Sequence, residues 1–304
     1  VGSGSFSHGI YLAHKLAGVS SFSIVRHVQG QLAADPSRRP LKVCHGGTLD
    51  PFATGLLLVL VGRATRLFPF LHDVPKVYEA TIRWGAETDS GDGLGSVRGC
   101  LGVGPESASA VEAAMCRFVG WTDQTPPQAS AKRVGRERAY EKFRRGEEFE
   151  LPRERVYLHR AQWLEHDLPR RSRLRITVRG GFYVRSLVQD LGREVGCGAH
   201  VAELRRCSIA GWNDPGGEQL VPAPAETILD WLGHRELDDD EAAMLRQGRT
   251  IGKQSVEPPS RELEPGFPYD HSLVRGMRRG RLEFVLREEG ETLCALASLG
   301  RGIG

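Results

Sequence analysis

Between His45 and Leu60 the chain reads HGGTLDPFATGLLLVL, which sets a single carboxylate, Asp50, between a glycine-rich turn and a long apolar run. Two glycines, a Thr-Leu-Asp-Pro stretch and an Ala-Thr-Gly stretch surround it with flexible backbone and one fixed proline angle. A carboxylate held in this way can act as a nucleophile or accept a proton. It can equally close an Asx turn, and spacing alone leaves both readings open. Several other chemistry-bearing patterns are missing, among them GxSxG, HExxH and the Gly-Lys-Ser/Thr phosphate loop. TDSGDGLG, Thr88 to Gly95, lacks the alternate-position carboxylates and terminal glutamate of a calcium loop and reads as an Asx-rich turn. RGGFYV, Arg179 to Val184, shares part of an RNA-binding strand pattern, but a helical pattern follows it.

The elements that position these residues follow from periodicity. Phe22, Val25, Val28 and Leu32 recur at three- and four-residue spacing behind Ser20 or Ser21, which predicts a capped amphipathic helix with those four residues inward. YEATIRW alternates, placing Tyr78, Ala80, Ile82 and Trp84 on one face of a strand. Further strands are expected at Leu56 to Val61, Val156 to Trp163, Arg173 to Val178 and Leu204 to Ala210. Further helices are expected at Ser107 to Phe118, Arg136 to Arg145 and Val184 to Val195. Without a strict βαβ rhythm, the fold class is α+β, with a mixed or mainly antiparallel central sheet and flanking helices. Four prolines between Gly252 and Pro268 mark a long loop, and RLEFVLREEGETLCALASL after it predicts a hairpin. This divides the 304 residues into a flexible start over 1–8, a main domain over 9–237 and a small, mainly β domain over 238–304.

Composition narrows the function classes. No apolar run approaches the roughly 18 residues of a membrane span, and the first residues lack a secretory pattern, so a cytoplasmic protein is expected. The cysteines at 44, 100, 116, 197, 207 and 294 form no CxxC pair and no zinc spacing, and are expected as reduced thiols, mostly in the core. Net charge is only +3, but Lys132 to Arg145 holds seven basic residues against two acidic ones. Further arginines cluster at 170–179 and 275–281. Together these point to a phosphate-rich partner.

The segment around Asp50 resembles the catalytic motif of the TruB family of pseudouridine synthases. The resemblance continues through KVYEATIRWGAETDSGDGLG (76–95), TPPQASAKRVGRERAYEKFRRG (125–146) and GGFYVRSLVQDLGREVGCGAHVAELRRCSIAGW (180–212), in the family's order. It implies the pseudouridine synthase fold and an isomerase that acts on the T-loop uridine at tRNA position 55. Such an enzyme detaches uracil from N1, turns it and rejoins it through C5, with no metal or organic cofactor. Asp50 corresponds to the family's catalytic aspartate, attacking either the ribose or the uracil ring. Tyr78 corresponds to the tyrosine that packs on the flipped base, and Arg185 to the arginine that keeps the carboxylate charged and aimed in a dry pocket. Tyr183 corresponds to a hydrogen-bonding pocket tyrosine, His45 to the histidine that contacts the reorganised loop, and Lys15 to the lysine of the N-terminal motif. Lys132, Arg133, Arg136, Arg144, Arg145, Arg205 and Arg206 would then face tRNA phosphates. The C-terminal domain is similar in place and size to the family's RNA-binding PUA-like module. The T-arm is the implied partner, with no obligatory protein partner.

Two departures stand out. The N-terminal motif, usually Asp-Lys-Pro-x-Gly, is His14-Lys15-Leu16-Ala17-Gly18 here, and Cys44 replaces a glycine before the motif histidine. Both bear on local RNA contacts and leave Asp50, Tyr78, Tyr183 and Arg185 in place. The alternative is a non-catalytic tRNA-binding or tRNA-folding protein, which has no need of Asp50 and Arg185 together.

Overall fold

The computed structural model describes residues 6–34, 40–100 and 102–303. The first part of the chain forms β1 (Gly9–Lys15), α1 (Ser21–Ala33), β2 (Val43–His45), β3 (Thr54–Val61), β4 (Lys76–Trp84), β5 (Ala86–Thr88) and β6 (Val97–Cys100). After these come α2 (Ala108–Cys116), β7 (Gly120–Gln124), β8 (Arg133–Val134), β9 (Glu137–Arg138) and α3 (Ala139–Arg144). The next part holds β10 (Glu154–Asp167), β11 (Arg171–Val178), α4 (Val184–Glu194), β12 (Ala199–Ile209), β13 (Trp212–Asn213) and β14 (Val221–Pro222). The rest comprises β15 (Gly233–Glu236), α5 (Asp239–Arg246), β16 (Ile251–Gly252), β17 (Leu273–Arg278), β18 (Arg281–Glu289) and β19 (Thr292–Ile303).

Ten strands build one mixed sheet in the order β14-β1-β3-β12-β4-β11-β10-β7, with β2 added on β3 and β13 on β12. Its neighbours run antiparallel except β3 and β12, which meet in parallel only where Arg205 and Arg206 face Thr54 and Gly55. The unbroken apolar run of β3 has a simple cause, since it is covered on both faces. Leu56, Leu58 and Leu60 pack toward the second sheet, and Leu57, Val59 and Val61 pack under α1. β4 alternates as expected, its Tyr78, Ala80, Ile82 and Trp84 facing α2 and α4. A five-stranded sheet, β15-β17-β18-β19-β16, follows, with α5 against it. It takes in Gly233–Glu236, ahead of Asp238, where the sequence suggested the second unit begins. The β18–β19 hairpin turns at Gly290, as the sequence indicated. Leu282, Val285, Leu299 and Ile303 share a core with the first sheet, and Arg63 donates to the Gly302 carbonyl across the junction (3.2 Å).

Several expectations need correction. Phe22 is 58% exposed, with Arg26 over its ring, because α1 turns Ser21 inward instead. The Ser21 hydroxyl donates to the Leu49 carbonyl and accepts from the Leu49 amide, both at 2.9 Å, while Ser20 caps the helix through the Ser23 amide. The helix expected over Arg136 to Arg145 begins only at Ala139, because Gly135 at φ +64° turns Arg133–Val134 back onto Glu137–Arg138 as a two-stranded ribbon. Residues 1–5 of the expected flexible start lie outside the described residues, but Phe6 is buried edge-on against Tyr11. Of the described cysteine side chains only Cys197 is buried, and all are free thiols. The thiols of this chain are therefore not mostly core.

Candidate active site

Asp50 lies in the loop between β2 and β3, held on one side by Ser21 at Leu49 and on the other by β3. Gly47, at φ +135°, adopts a backbone angle that side chains rarely tolerate, whereas a Cβ on Gly46 would stand 2.9 Å from the Leu58 side chain, so one glycine serves the turn and the other the packing. The carboxylate is 30% exposed and receives a two-pronged contact from Arg185, Nε to Oδ2 and Nη2 to Oδ1, both at 2.9 Å. This two-pronged geometry fixes the direction of the carboxylate.

Arg185 is buried in the first turn of α4, and its remaining donors are all occupied. Nη1 donates to the Ser90 carbonyl (2.8 Å) and to Asp92 Oδ2 (3.3 Å), and Nη2 to the Ala129 carbonyl (3.0 Å). The start of α4 is itself pinned. The Tyr183 amide donates to Gln124 Oε1 (2.8 Å) and the Ser186 hydroxyl to the Thr125 carbonyl (2.7 Å). Asp92 was missed by sequence reasoning. TDSGDGLG does form Asx turns, Asp89 accepting from the Ser96 amide and Asp92 Oδ1 from the Leu94 amide, yet Asp92 spends its second oxygen on Arg185. The available signal was a second aspartate in a turn that one already closes.

The structure brings the other expected residues to this loop in different roles. Tyr78 is buried on β4, its hydroxyl accepting a long contact from Arg206 Nη1 (3.4 Å). Tyr183 is partly buried, and burial, followed by the charges of Glu154 and Asp50, pushes its phenol up to about 12. It therefore stays a protonated donor at neutral pH. His45 ends β2 with a buried Nδ1 that has no partner among the described residues, and burial together with Arg206 lowers the pKa of its ring. Lys15 is wholly buried, donating to the carbonyls of Leu16 (2.9 Å), Val19 (2.8 Å) and Pro51 (3.1 Å). Burial brings its amine down to about 8, Asp50 partly opposing and Arg206 adding to the shift. It supports the backbone beside Asp50 and leaves no donor facing solvent. Among the described residues no group of three or more His, Cys, Asp or Glu is placed to hold a metal ion.

The model for the TruB family pseudouridylate synthase N-terminal domain matches residues 37–184, and that for the tRNA pseudouridylate synthase B C-terminal domain matches 185–221. The tRNA pseudouridine synthase B of Caulobacter vibrioides is 37% identical over 238 residues, covering 73% of this chain and 76% of that protein. The chain belongs to the TruB family. Its likeness to the family member from Synechococcus sp. (strain WH7803), also named tRNA pseudouridine synthase B, extends over 90% of both chains at 37% identity. The fold is shared with a chain of a structure described as a Cbf5-Nop10-Gar1 complex, at a TM-score of 0.67 and 20% identity, over 96% of this chain and 85% of that one. The α+β class with a central mixed sheet is that of the pseudouridine synthases.

Within this TruB-family frame the basic residues separate into three kinds. Arg133 and Arg136 are exposed on the β8–β9 ribbon and enter no ion pair among the described residues. Lys132 pairs with Glu154 (2.6 Å), Arg145 with Glu137 (2.7 Å) and Glu147 (2.5 Å), Arg205 with Asp214 (2.9 Å), and Arg144 lies over Tyr140. Arg206 contradicts the expectation of a phosphate contact outright. It is 1% exposed, and its donors end on three backbone carbonyls and the Tyr78 hydroxyl, because its strand turns it inward beside Tyr78. The unusual His14 of this TruB-family chain is accommodated by Asp214, which meets its Nδ1 at 2.8 Å.

Proposed function

We propose that this chain is a tRNA pseudouridine synthase, converting the T-loop uridine at tRNA position 55 to pseudouridine, with Asp50 as the nucleophile. The observation that carries this reading is the half-open Asp50 carboxylate, aimed by the buried Arg185 fork, with Tyr183 close enough to feel its charge. A T-loop uridine is stacked in the free RNA, so it is flipped out at a cost of a few kcal/mol. Packing on Tyr78 offsets part of that, since stacking a base on an aromatic ring contributes roughly 1–3 kcal/mol. Asp50 then attacks the ribose or the uracil ring, the N1 glycosidic bond breaks, and the turned base rejoins through C5, whose proton leaves to a base such as the same carboxylate. Arg185 holds Asp50 fixed through these steps, and the protonated Tyr183 phenol supplies a hydrogen bond inside the pocket.

Arg133 and Arg136 are the expected phosphate contacts, and the small C-terminal β sheet acts as the PUA-like RNA-binding unit for the T-arm. No helix among the described residues is long and apolar enough to cross a membrane. The reaction takes place in the cytoplasm and requires neither a cofactor nor an obligatory protein partner. The test uses an unmodified tRNA transcript with wild type and Asp50→Asn, mapping pseudouridine by carbodiimide adducts and primer extension. A stop at the T-loop uridine with wild type only, at equal tRNA binding, is the expected result. Turnover by Asp50→Asn would overturn the mechanism. Binding without any stop in either protein would favour a tRNA-folding role.

A further inference from the structure

Among the described residues Arg206 is the largest side chain that is fully buried, and no carboxylate pairs with it. An unpaired interior cation is strongly unfavourable unless hydrogen bonds satisfy it. Here the acceptors are three carbonyls and one phenol. Nε donates to Leu56 (2.7 Å), Nη1 to Thr48 (3.2 Å) and to the Tyr78 hydroxyl (3.4 Å), and Nη2 to Gly47 (3.2 Å). Gly47 and Thr48 lie on the incoming limb of the Asp50 loop, and Leu56 lies on the outgoing limb. The backbone of Arg206 also pairs with Gly55 on one side and Tyr78 on the other. Gly55, at φ +103°, leaves no room for a side chain, since a Cβ there would stand 2.3 Å from the Arg206 carbonyl.

We propose that Arg206 is a positioning residue of the reaction, a buried clamp that closes the two limbs of the 47–56 loop and locks them to Tyr78. The inference rests on reading Asp50 as the reacting carboxylate. A planar guanidinium suits the task because its nitrogens point to both limbs at once, which a single ammonium group cannot do. Arg185 fixes the carboxylate itself, and Arg206 fixes the backbone of the loop that carries it. Without the clamp the loop still forms, but the spacing between Asp50 and Tyr78 is no longer held.

The test compares wild type, Arg206→Met, Arg206→Lys, Asp50→Asn and a core variant on α2, Val111→Ala, with stability measured for each. The readouts are the single-turnover rate of pseudouridine formation at saturating tRNA transcript, and transcript affinity as a function of salt. For Arg206→Met the rate is expected to fall about 100-fold, the effect of misplacing a reacting group by about 1 Å. Transcript affinity stays within about twofold and its salt slope is unchanged. Arg206→Lys recovers part of the rate, and Val111→Ala loses stability but keeps the rate. Weaker binding with a salt slope smaller by about one, at an unchanged saturating rate, would make Arg206 a phosphate contact and overturn the proposal. If Arg206→Met does not fold, Arg206→Lys decides, because a full wild-type rate there overturns the clamp. A wild-type rate in the Arg206 variants beside an inactive Asp50→Asn defeats the clamp alone. Turnover by Asp50→Asn defeats the reading on which it rests.

Discussion

Replacing Arg185 by methionine removes one cation from a pocket that holds two carboxylates, and its cost can be worked from the contacts. The guanidinium makes two bonds to Asp50, one to Asp92 and two to the Ser90 and Ala129 carbonyls, with 3% of its side chain exposed. Removing one partner of a buried ion pair costs about 3–5 kcal/mol. Asp50 is open enough for water to screen part of its share. Asp92, at 9%, has no such relief. Arg185→Met is therefore expected to lose about 3–5 kcal/mol, a large fraction of the about 5–15 kcal/mol that stabilises a folded protein. Asp50→Asn leaves Arg185 bonded to Asp92 and both carbonyls, and should cost no more than about 1 kcal/mol. The double variant leaves only Asp92 without its partner, so it should lose about 1–2 kcal/mol less than the two single losses combined. Urea unfolding followed by the fluorescence of the five tryptophans measures all three. Equal losses in the two single variants, or strict additivity, would refute the role of Arg185 as the charge centre of the site.

Three further outcomes follow from the packing. Lys76 is buried with its amine on the His72 carbonyl (2.5 Å), and burial brings it down to about 7 from 10.5. The unfolded chain binds more protons between those values, so stability should rise with pH from about 7 to about 9.5, and rise less in Lys76→Met; parallel urea midpoints for the two proteins would contradict this. Gly55→Ala should lose about 2–3 kcal/mol or more in the same unfolding assay, since it combines a strained φ with a clash on the Arg206 carbonyl, and a loss under about 0.5 kcal/mol would disprove that crowding. Alanine at both Arg133 and Arg136 should lower the salt slope of tRNA binding by about one to two, whereas Arg145→Ala, whose side chain is already paired, should change it little; the reverse order would move the RNA off the ribbon.

Local pattern made some elements legible and left others unreadable. The alternation of β4, the Ser20 cap of α1 and the β18–β19 hairpin depend on neighbours in sequence, and each formed where its residues indicated. The choice between Phe22 and Ser21 for the buried position of α1 depended on Leu49, whose amide and carbonyl reward a hydroxyl. The chemistry of the cations was least visible. Lys15 and Arg206 carry the same side chains as solvated residues, and the carbonyls that receive them include Pro51 for Lys15 and Leu56 for Arg206, both distant in the chain. Asp92 was hidden for a related reason, since a turn explained its presence before Arg185 did.

The same long reach sets a schedule for synthesis. Thr48 and Arg206 are 158 positions apart, and Asp50 and Arg185 are 135 apart. At about 5–20 residues per second the ribosome takes about 8–30 s to deliver Arg206 after Thr48 has been made. For that interval the Asp50 loop exists without its anchors, and the apolar β3 strand has β1 beside it but not β12 or the second sheet. The newborn chain therefore carries its stickiest segment half covered, and incapable of chemistry, until most of the protein has been made.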